Sequence, residues 1–486
     1  MSRDRQIIAV GLIFLLGCTA NEPASVPSTG PGSKAPGHRI ETSPEPAWES
    51  DSSDSKTSGN TPTVTSAPPM PELTTQDSKS TELTTSPPRL PTPSVRKVAE
   101  SPAASAVPSL EKPAADGHNW LTREELEAGW VRLFDGQTLF GWKANSDLNW
   151  TVTDGVISAD EGKPGLLCTT SRFADYELRC DYKLAAGGNS GIFLRTPQKP
   201  ADPAVDCYEL NMCDTHPAFG TGSLVKRAKT EMAVTGDGEW HSFHVRVAGP
   251  QVTVQFDGKV VLDYTDTTEK PLTTGHIGLQ MNGGKIEFRN VYLKPLGTRP
   301  IFDGESLSGW REVPGSKSQF TVKDQTIHVK DGRGFLETEL TAGNFVLQFE
   351  ATTNGDKLNS GIFFRAMPGT EKAPSHGYEF QIQSGFKNDD RNQPDDHGTG
   401  AIFKRASARR VISSDRQWFT AMLVADGPHI TTWIDGVQVV DWTDERPEND
   451  NPREGLRVKP GHFSLQGHDP TTDLAFRNLR LADTPE

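Results

Sequence analysis

Positive charge is scarce in this sequence: 64 aspartates and glutamates outnumber 50 lysines and arginines, and the net charge is −14. Sequence-independent binding of nucleic acid needs a basic face that neutralises phosphates, so this composition argues against that class of function. Hydrophobic residues are also few, at 34% of 486 residues, whereas 36 prolines and 45 glycines are present. A chain of this length and composition is expected to hold two or three domains and a segment that packs no core.

Cysteine is rare as well, with five residues in the whole chain. Four of them lie close together in sequence, at Cys168, Cys180, Cys207 and Cys213. Four cysteines allow three pairings, which the sequence alone does not distinguish. Because no CxxC or His-x-x-His spacing accompanies them, buried free thiols or one structural disulfide are favoured over a metal site.

An apolar run near the start of the chain, IIAVGLIFLLG, comes after Arg3 and Arg5. It is too short to span a bilayer as a helix and has the size of the apolar region of a secretory signal. The run ends in LLGC, which resembles the lipobox of bacterial lipoproteins. This resemblance implies that residues 1–18 are a signal whose Cys18 is lipidated. The alternatives are an ordinary cleaved signal and an uncleaved anchor.

A lipidated Cys18 predicts where the protein is found. We expect an exported lipoprotein, in the periplasm or at the cell surface, that contacts the membrane only through its lipid anchor. Residues 19–117 consist mainly of serine, threonine, proline and scattered charge. Such a segment cannot bury enough apolar surface to offset its ordering entropy, so a disordered stalk is predicted between the anchor and the folded domains.

Two domain-sized repeats occupy the rest of the chain, at residues 118–296 and 297–486. LFDGQTLFGW at position 133 returns as IFDGESLSGW at position 301, and NSGIFLR at position 189 returns as NSGIFFR at position 359. A short helix is predicted at the start of the first repeat, because Thr122 and Glu125 have the spacing of a capping box. Within each repeat apolar and polar residues alternate, and Asp-Gly pairs indicate tight hairpins. Short antiparallel strands without crossover helices predict an all-β sandwich or jelly roll in each repeat.

Polar residues that recur in both repeats indicate a binding face. Strand alternation directs Ile192 and Leu194 into the core and leaves Asn189, Phe193 and Arg195 on the other face. By the same rule this face also carries Glu209, Asn211 and Gln280 in the first repeat and Asn359, Phe363, Arg365, Glu379, Gln381, Gln466 and His468 in the second. Aromatic rings can stack on sugar C–H groups, and amides and guanidinium groups can bond hydroxyls, so a carbohydrate ligand is predicted. The alternative for any single residue is a solvated or cross-strand pair.

In their order along the chain, LFDGxxLxGW, NSGIFLR, YELN, GTGSLVKR, LQ and FRN resemble the 3-keto-disaccharide hydrolase domain. The resemblance covers both repeats and implies two tandem concanavalin A-like jelly-roll sandwiches, each with its ligand on a concave sheet. It also implies action on glycosides whose C3 hydroxyl has been oxidised to a ketone. The ketone acidifies the proton at C2, a base removes it, the enolate expels the C1 substituent, and addition of water completes a net hydrolysis.

The resemblance assigns roles to the predicted face. Glu209 and Glu379 are candidates for the base or for a metal ligand, Arg195 and Arg365 for stabilising the enolate, and His468 for carrying a proton. Lys226 and Lys404, in the GTGSLVKR and GTGAIFKR segments, are further candidates for binding the substrate. The cofactor is left open: a divalent metal ion is one option, with Asp214 and His216 as candidate ligands in the first repeat only.

Two functions other than catalysis stay open. The same fold serves a non-catalytic carbohydrate-binding protein, and a structural adhesin would use the duplication only for avidity. The repeats also differ from each other, because Asn282 stands in the first where His468 stands in the second. One repeat could therefore bind while the other reacts. No strand carries the closely spaced acids of a two-carboxylate glycosidase.

Overall fold

The structure is a computed structural model that describes residues 117–230, 235–236 and 238–485, all within one compact unit. The predicted signal, its Cys18 and all but the last residue of the predicted stalk lie outside the described residues. None of the described helices is long and apolar enough to cross a membrane.

The first repeat is a sandwich of two antiparallel sheets. Its strands are β1 (Val131–Arg132), β2 (Trp142–Ala144), β3 (Thr151–Thr153), β4 (Val156–Ala159), β5 (Gly165–Thr169), β6 (Tyr176–Leu184), β7 (Asn189–Thr196), β8 (Tyr208–Met212), β9 (His241–Ala248), β10 (Gln251–Phe256), β11 (Lys259–Thr265), β12 (His276–Gly283) and β13 (Ile286–Pro295). The larger sheet has the order β11-β10-β9-β6-β13-β4-β3, with β1 beside β13, and the smaller sheet has the order β2-β5-β12-β7-β8.

The second repeat has the same architecture. Its strands are β14 (Arg299–Pro300), β15 (Trp310–Glu312), β16 (Gln319–Lys323), β17 (Thr326–Lys330), β18 (Gly334–Thr338), β19 (Phe345–Thr353), β20 (Ser360–Ala366), β21 (Tyr378–Ile382), β22 (Phe386–Lys387), β23 (Asp390–Pro394), β24 (Phe419–Asp426), β25 (His429–Ile434), β26 (Val437–Thr443), β27 (His462–Gly467) and β28 (Asp473–Asp483). The larger sheet has the order β16-β17-β28-β19-β24-β25-β26, with β14 beside β28, and the smaller has the order β15-β18-β27-β20-β21. The hairpin β22-β23 has no counterpart among the described strands of the first repeat.

Residue alternation explains why these segments are strands. In β6 every second residue is buried, from Tyr176 to Leu184, and the residues between them are partly exposed. The two inner faces meet in one apolar core per repeat, as the sequence predicted for an all-β sandwich. The structure describes two helices, α1 (Arg123–Glu127) and α2 (Pro203–Asp206). The capping box predicted for α1 is confirmed, because Thr122 and Glu125 each accept a hydrogen bond from the other's backbone nitrogen.

The two sandwiches pack against each other through the larger sheet of the second repeat. Met422, Val424 and Trp433, on the outer face of this sheet, are buried in the core cluster of the first repeat. At the rim, Arg172 Nε donates to Asp426 Oδ2 at 2.7 Å. The second repeat therefore buries both faces of β24 and β25 in its larger sheet, which alternation within one repeat does not predict.

The four cysteines of the first repeat are free and buried, in agreement with one of the two favoured interpretations. Cys168 and Cys207 pack with Leu166 and Phe193 in a small cluster on the smaller sheet. Burial raises the pKa of the Cys168 thiol to about 12, so this thiol stays protonated at neutral pH.

Candidate functional site

The smaller sheet of each repeat turns one face to the core and the other away from it. In β21, Tyr378 and Phe380 belong to the core, so Glu379 lies on the opposite face. Glu379 is directly across from Phe363 in β20. A Cβ atom on Gly361 would come within 2.9 Å of Cγ of Glu379, so the glycine leaves the space that this carboxylate occupies. We call the face around Glu379 the second site.

The carboxyl group of Glu379 is a buried titratable group of the second site. Burial raises its pKa to about 7, against the opposing charges of Arg453 and His468. Nη2 of Arg453 donates to Oε2 of Glu379 at 3.1 Å. A buried carboxyl group that is half ionised near neutral pH has the properties of a general base.

Three polar oxygens on this face have no hydrogen-bond partner among the described residues: Oε1 of Gln381, Oε1 of Gln466 and Oγ of Ser464. All three side chains are buried. The amide of Gln381 is fixed from its other side, because Nε2 donates to Asn359 Oδ1 and to Asp396 Oδ2, each at 3.2 Å. Buried polar atoms are normally paired, so these three oxygens can each take a hydrogen bond from water or from a ligand.

His468 lies just past the end of β27 and borders the second site. Its Nδ1 is 2.9 Å from Oδ2 of Asp469, and its side chain is 41% exposed. The bond to Asp469 leaves Nε2 available to exchange a proton with a ligand.

The ring of Phe363 does not have its expected role. Its side chain is fully buried among Val313, Phe335 and Ala366, with an edge-to-face contact to Phe335 at 5.5 Å between ring centroids. The guanidinium carbon of Arg453 lies 5.0 Å from the centre of the ring. A ring buried in this way cannot stack on a sugar as expected. The same holds for Phe193 of the first repeat, which is also buried. Each ring instead packs underneath the polar side chains of its site.

The expectation that Arg195 lies on the binding face is wrong. Its backbone has φ = 50°, and the pairing of β7 with β12 shifts register next to it, so alternation breaks at this residue. The guanidinium is buried among loops, where Nε donates to Ala174 O at 2.8 Å and Nη1 donates to Gly249 O at 2.7 Å. Arg195 therefore connects separate loops through their backbone carbonyls, and its guanidinium is not available to an enolate.

Arg365 repeats this arrangement and corrects the same expectation in the second repeat. It has φ = 48°, and its Nε and Nη1 donate to Gly343 O at 2.8 Å and Gly427 O at 2.7 Å. Desolvation lowers the pKa of this guanidinium to about 10. One sequence signal marks the bulge: a Cβ atom on Gly461, the glycine of GHFSLQ, would lie 2.3 Å from the carbonyl carbon of Arg365.

The first repeat holds a simpler version of the site around Glu209, which we call the first site. Burial raises the pKa of Glu209 to about 6, and Gln280 Nε2 lies 3.5 Å from its Oε1. Asn211, also on this face, donates from Nδ2 to Phe219 O, which engages its amide. Asn189 is partly buried at the start of β7. No arginine of the described residues donates to Glu209.

The predicted lysines lie at the edges of the two sites. Lys226 Nζ is 3.2 Å from Asp202 Oδ1 in an exposed pair, and the positive charge of Lys226 opposes the rise in the pKa of Glu209 that burial causes. Lys404 Nζ lies 5.6 Å from the ring centre of Phe403. Lys226 lies in a segment along the outer edge of β8, since Val225 N donates to the carbonyl of Glu209. Lys404 lies in the matching segment along β21, where Phe403 N donates to the carbonyl of Glu379.

The candidate metal ligands of the first repeat are engaged in their own loop. Asp214 accepts a hydrogen bond from Thr221 Oγ1 and another from Gly236 N at 2.7 Å. Nδ1 of His216 accepts from Phe219 N at 2.8 Å. Within the part of the chain that is described, no three His, Cys, Asp or Glu side chains gather as a metal site. Asp214 and His216, bonded within their own loop, therefore do not form the divalent metal site that was one of the options for this repeat.

Comparison with known proteins matches the same two repeats. The family model described as the 3-keto-alpha-glucoside-1,2-lyase-like domain matches residues 129–294 and 297–482. A Bacteroides thetaiotaomicron protein named 3-keto-disaccharide hydrolase is 26% identical over 228 residues, which cover 35% of this chain and 79% of that protein.

Two solved structures are each similar to about a third of this chain. A candidate glycosyl hydrolase from Parabacteroides distasonis is 25% identical, with coverage of 37% of this chain and 99% of that chain and a TM-score of 0.33. A β-glucanase from Bacillus licheniformis is 13% identical, with coverage of 34% and 96% and a TM-score of 0.27.

Proposed function

Because this chain belongs to the family of 3-keto-alpha-glucoside-1,2-lyase-like domains, we propose that it acts on glycosides and that its second site cleaves glycosides oxidised to a ketone at C3. The relative from Bacteroides thetaiotaomicron, named 3-keto-disaccharide hydrolase, supports this substrate class. The observation that carries the proposal is the buried carboxyl group of Glu379, with a pKa of about 7, beside three unpaired oxygens.

Glu379 is the base of the proposed reaction. A proton on C2 is acidic only when C3 is a ketone, so a carboxylate of modest basicity can remove it. Burial in the second site makes Glu379 more basic than a carboxylate in water. The same carboxylate has no acidic proton to remove from an unoxidised glycoside, which explains why the substrate must carry the ketone.

The unpaired oxygens are the proposed contacts to the sugar. Oε1 of Gln381 and Oε1 of Gln466 accept hydrogen bonds from sugar hydroxyls, and the hydroxyl of Ser464 donates or accepts one. Contacts from neighbouring strands hold the ring so that C2 faces Glu379. By holding the substrate in this orientation, the preorganised sheet increases the rate of proton removal.

The proposed reaction consists of an elimination and an addition of water. In the elimination, the C2 proton moves to Glu379, the C2–H electrons form the enolate, and the C1–O bond breaks as a C1=C2 double bond forms. The departing oxygen takes a proton from His468, whose Nε2 is available for this step. Water then adds its hydroxyl to C1 and a proton to C2, which yields the 3-keto sugar and completes a hydrolysis. If the unsaturated ketone leaves before water adds, the same site is a lyase.

Binding without turnover is the second candidate function, and one observation favours it for the first site. Asn282 stands where the second repeat has His468, and Glu209 has only Gln280 as a side-chain hydrogen-bond donor among the described residues. A site with a carboxylate and amides, but without a proton carrier, suits recognition of hydroxyls better than elimination.

The experiment is to incubate the full chain with an aryl 3-keto-glucoside and, separately, with the matching unoxidised glucoside. Release of the aryl alcohol from the oxidised compound alone supports the proposal. Binding of either compound without release would replace it with the carbohydrate-binding function. Carbohydrate is the partner proposed in either case.

We also propose, on the resemblance of LLGC to a lipobox, that the protein is an exported lipoprotein anchored through Cys18. Metabolic labelling with a radioactive fatty acid tests this proposal. Label is expected in the wild type and not in the Cys18→Ala variant, and an unlabelled wild type would overturn the proposal.

A further inference from the structure

We infer that Arg453 is the substrate-facing cation of the second site, contacting Glu379 on one side and the C3 oxygen of a 3-keto-glycoside on the other. The inference rests on the proposed function for the identity of the substrate. Arg453 thus takes the role that the sequence suggested for Arg365, whose guanidinium is buried elsewhere.

The contacts of Arg453 place its charge over the site. Nη2 donates to Glu379 Oε2 at 3.1 Å, Nε donates to Ser375 O at 3.4 Å, and the guanidinium carbon lies 5.0 Å from the centre of the Phe363 ring. The side chain is 26% exposed, so the guanidinium is reachable from outside. Among the described residues no hydrogen bond uses Nη1, which is left for a ligand.

The loop that carries Arg453 is held by its own hydrogen bonds. Nη2 of Arg446 donates to Asp444 Oδ2 at 2.8 Å and to Gly455 O at 2.9 Å. Asn451 Oδ1 accepts from the backbone nitrogen of Arg453 at 3.0 Å. A loop with its turns closed in this way presents the guanidinium in a fixed position, so little ordering is needed when substrate binds.

The chemistry explains why a cation belongs here. Removal of the C2 proton moves negative charge onto the C3 oxygen, and a donor aimed at that oxygen stabilises the enolate more than the neutral ketone. A guanidinium offers several N–H donors in one plane, so it can bond Glu379 and the C3 oxygen at the same time. Its charge also favours the ionised, basic form of Glu379.

The first site lacks this residue because its loop is shorter. Ten residues run from Asp266 to Gly275, whereas eighteen run from Asp444 to Gly461, and Arg453 lies in the longer segment. The first site has the carboxylate of Glu209 but no guanidinium bonded to it among the described residues. The extra loop therefore distinguishes a reacting site from a binding site.

The test uses the full chain with Arg453→Leu, Arg453→Lys and, as the matched control, Lys459→Leu. Lys459 is in the same loop, and its exposed Nζ pairs with Asp450 at 2.9 Å, away from Glu379. Arg453→Leu is expected to lower kcat about 100-fold, in the range for the loss of one charge-stabilising donor. Arg453→Lys should recover part of that loss, and Lys459→Leu should keep wild-type turnover.

A second readout does not depend on turnover. We expect the pKa of the Glu379 carboxyl, measured by carbon NMR in labelled protein, to rise in Arg453→Leu, to rise less in Arg453→Lys and to stay constant in Lys459→Leu. If the wild type binds the 3-keto-glucoside without cleaving it, the proposed reaction fails, but a raised pKa and weaker binding in Arg453→Leu still support the inference. Normal turnover and an unshifted pKa in Arg453→Leu would overturn it.

Discussion

The hydroxyl of Tyr378 donates a hydrogen bond to Asp444 at 2.6 Å, at the base of the loop that carries Arg453. The first repeat has the same bond from Tyr208 to Asp266 at 2.7 Å. In both repeats, therefore, this loop begins at the same tyrosine–aspartate hydrogen bond, and the repeats differ in the length of the loop beyond it. Because only the second repeat extends the loop over the sheet, the difference between the sites comes from an insertion on a common scaffold.

The two glutamates should respond differently to neutralisation. Glu379→Gln removes the base and is expected to lower kcat for a 3-keto-glucoside by at least about 100-fold. Glu209→Gln, at the matching position of the first repeat, is expected to change kcat less than about threefold. Steady-state kinetics of the two full-length variants measure both values. A large loss in Glu209→Gln with normal turnover in Glu379→Gln would move the reaction to the first site.

The pH dependence of turnover should reflect the ionisation of Glu379. The base must be ionised, so kcat/KM is expected to fall about tenfold per pH unit below about 7, the pKa to which burial raises this group. A profile measured between pH 5 and 9 checks this, with ionic strength held constant. An acid limb near pH 4.5, the ordinary value for glutamate, would show that a solvated carboxylate or another group is the base.

The same raised pKa predicts a change in stability with pH. A group whose pKa is higher in the folded state than in the unfolded state stabilises the fold fully below its unfolded pKa, and this contribution is lost as pH rises through the folded value. Between about pH 4.5 and 7, therefore, Glu379 makes the wild type progressively less stable. The difference in stability between Glu379→Gln and the wild type should therefore favour the variant more at pH 8 than at pH 4. Urea unfolding of both proteins at the two pH values measures this difference.

Sequence alternation predicted the sheet positions of the second site well. Glu379, Gln381 and Gln466 share a face because a strand has a period of two, and nothing interrupts that period in β21 or β27. The rule failed at Arg365, where a bulge with positive φ reverses the direction of the side chain. Arg453 was missed for another reason: it lies in a loop without periodicity and without a matching segment in the first repeat.

Arg365 should be needed for folding and not for chemistry. Its guanidinium bonds three backbone carbonyls, and replacement by methionine would leave them buried without a donor. Hydrogen bonds from charged groups are worth about 1.5–3 kcal/mol each, so Arg365→Met is expected to lower the free energy of unfolding by at least about 3 kcal/mol. Urea unfolding measures this, and kcat per folded molecule should stay near wild type. A stable variant that lacks turnover would instead support a role for Arg365 in stabilising the enolate.

The outer face of the second repeat's larger sheet should determine whether the two sandwiches unfold together. Met422 and Val424 of β24 stand where β9 of the first repeat has His244 and Arg246, so only the second repeat has an apolar outer face there. Val424→Asp places a charge in this contact, and a buried charge without a partner is strongly unfavourable. We expect one calorimetric transition in the wild type and two in Val424→Asp.

The matched control for that experiment is Arg246→Asp, which makes the same substitution on the outer face of the first repeat. Arg246 is exposed, so its replacement should leave a single transition at nearly the wild-type temperature. A single transition in Val424→Asp as well would mean that the contact contributes little to coupling. Two transitions in that variant alone would show that Met422, Val424 and Trp433, and not the peptide link between the repeats, make the tandem one cooperative unit.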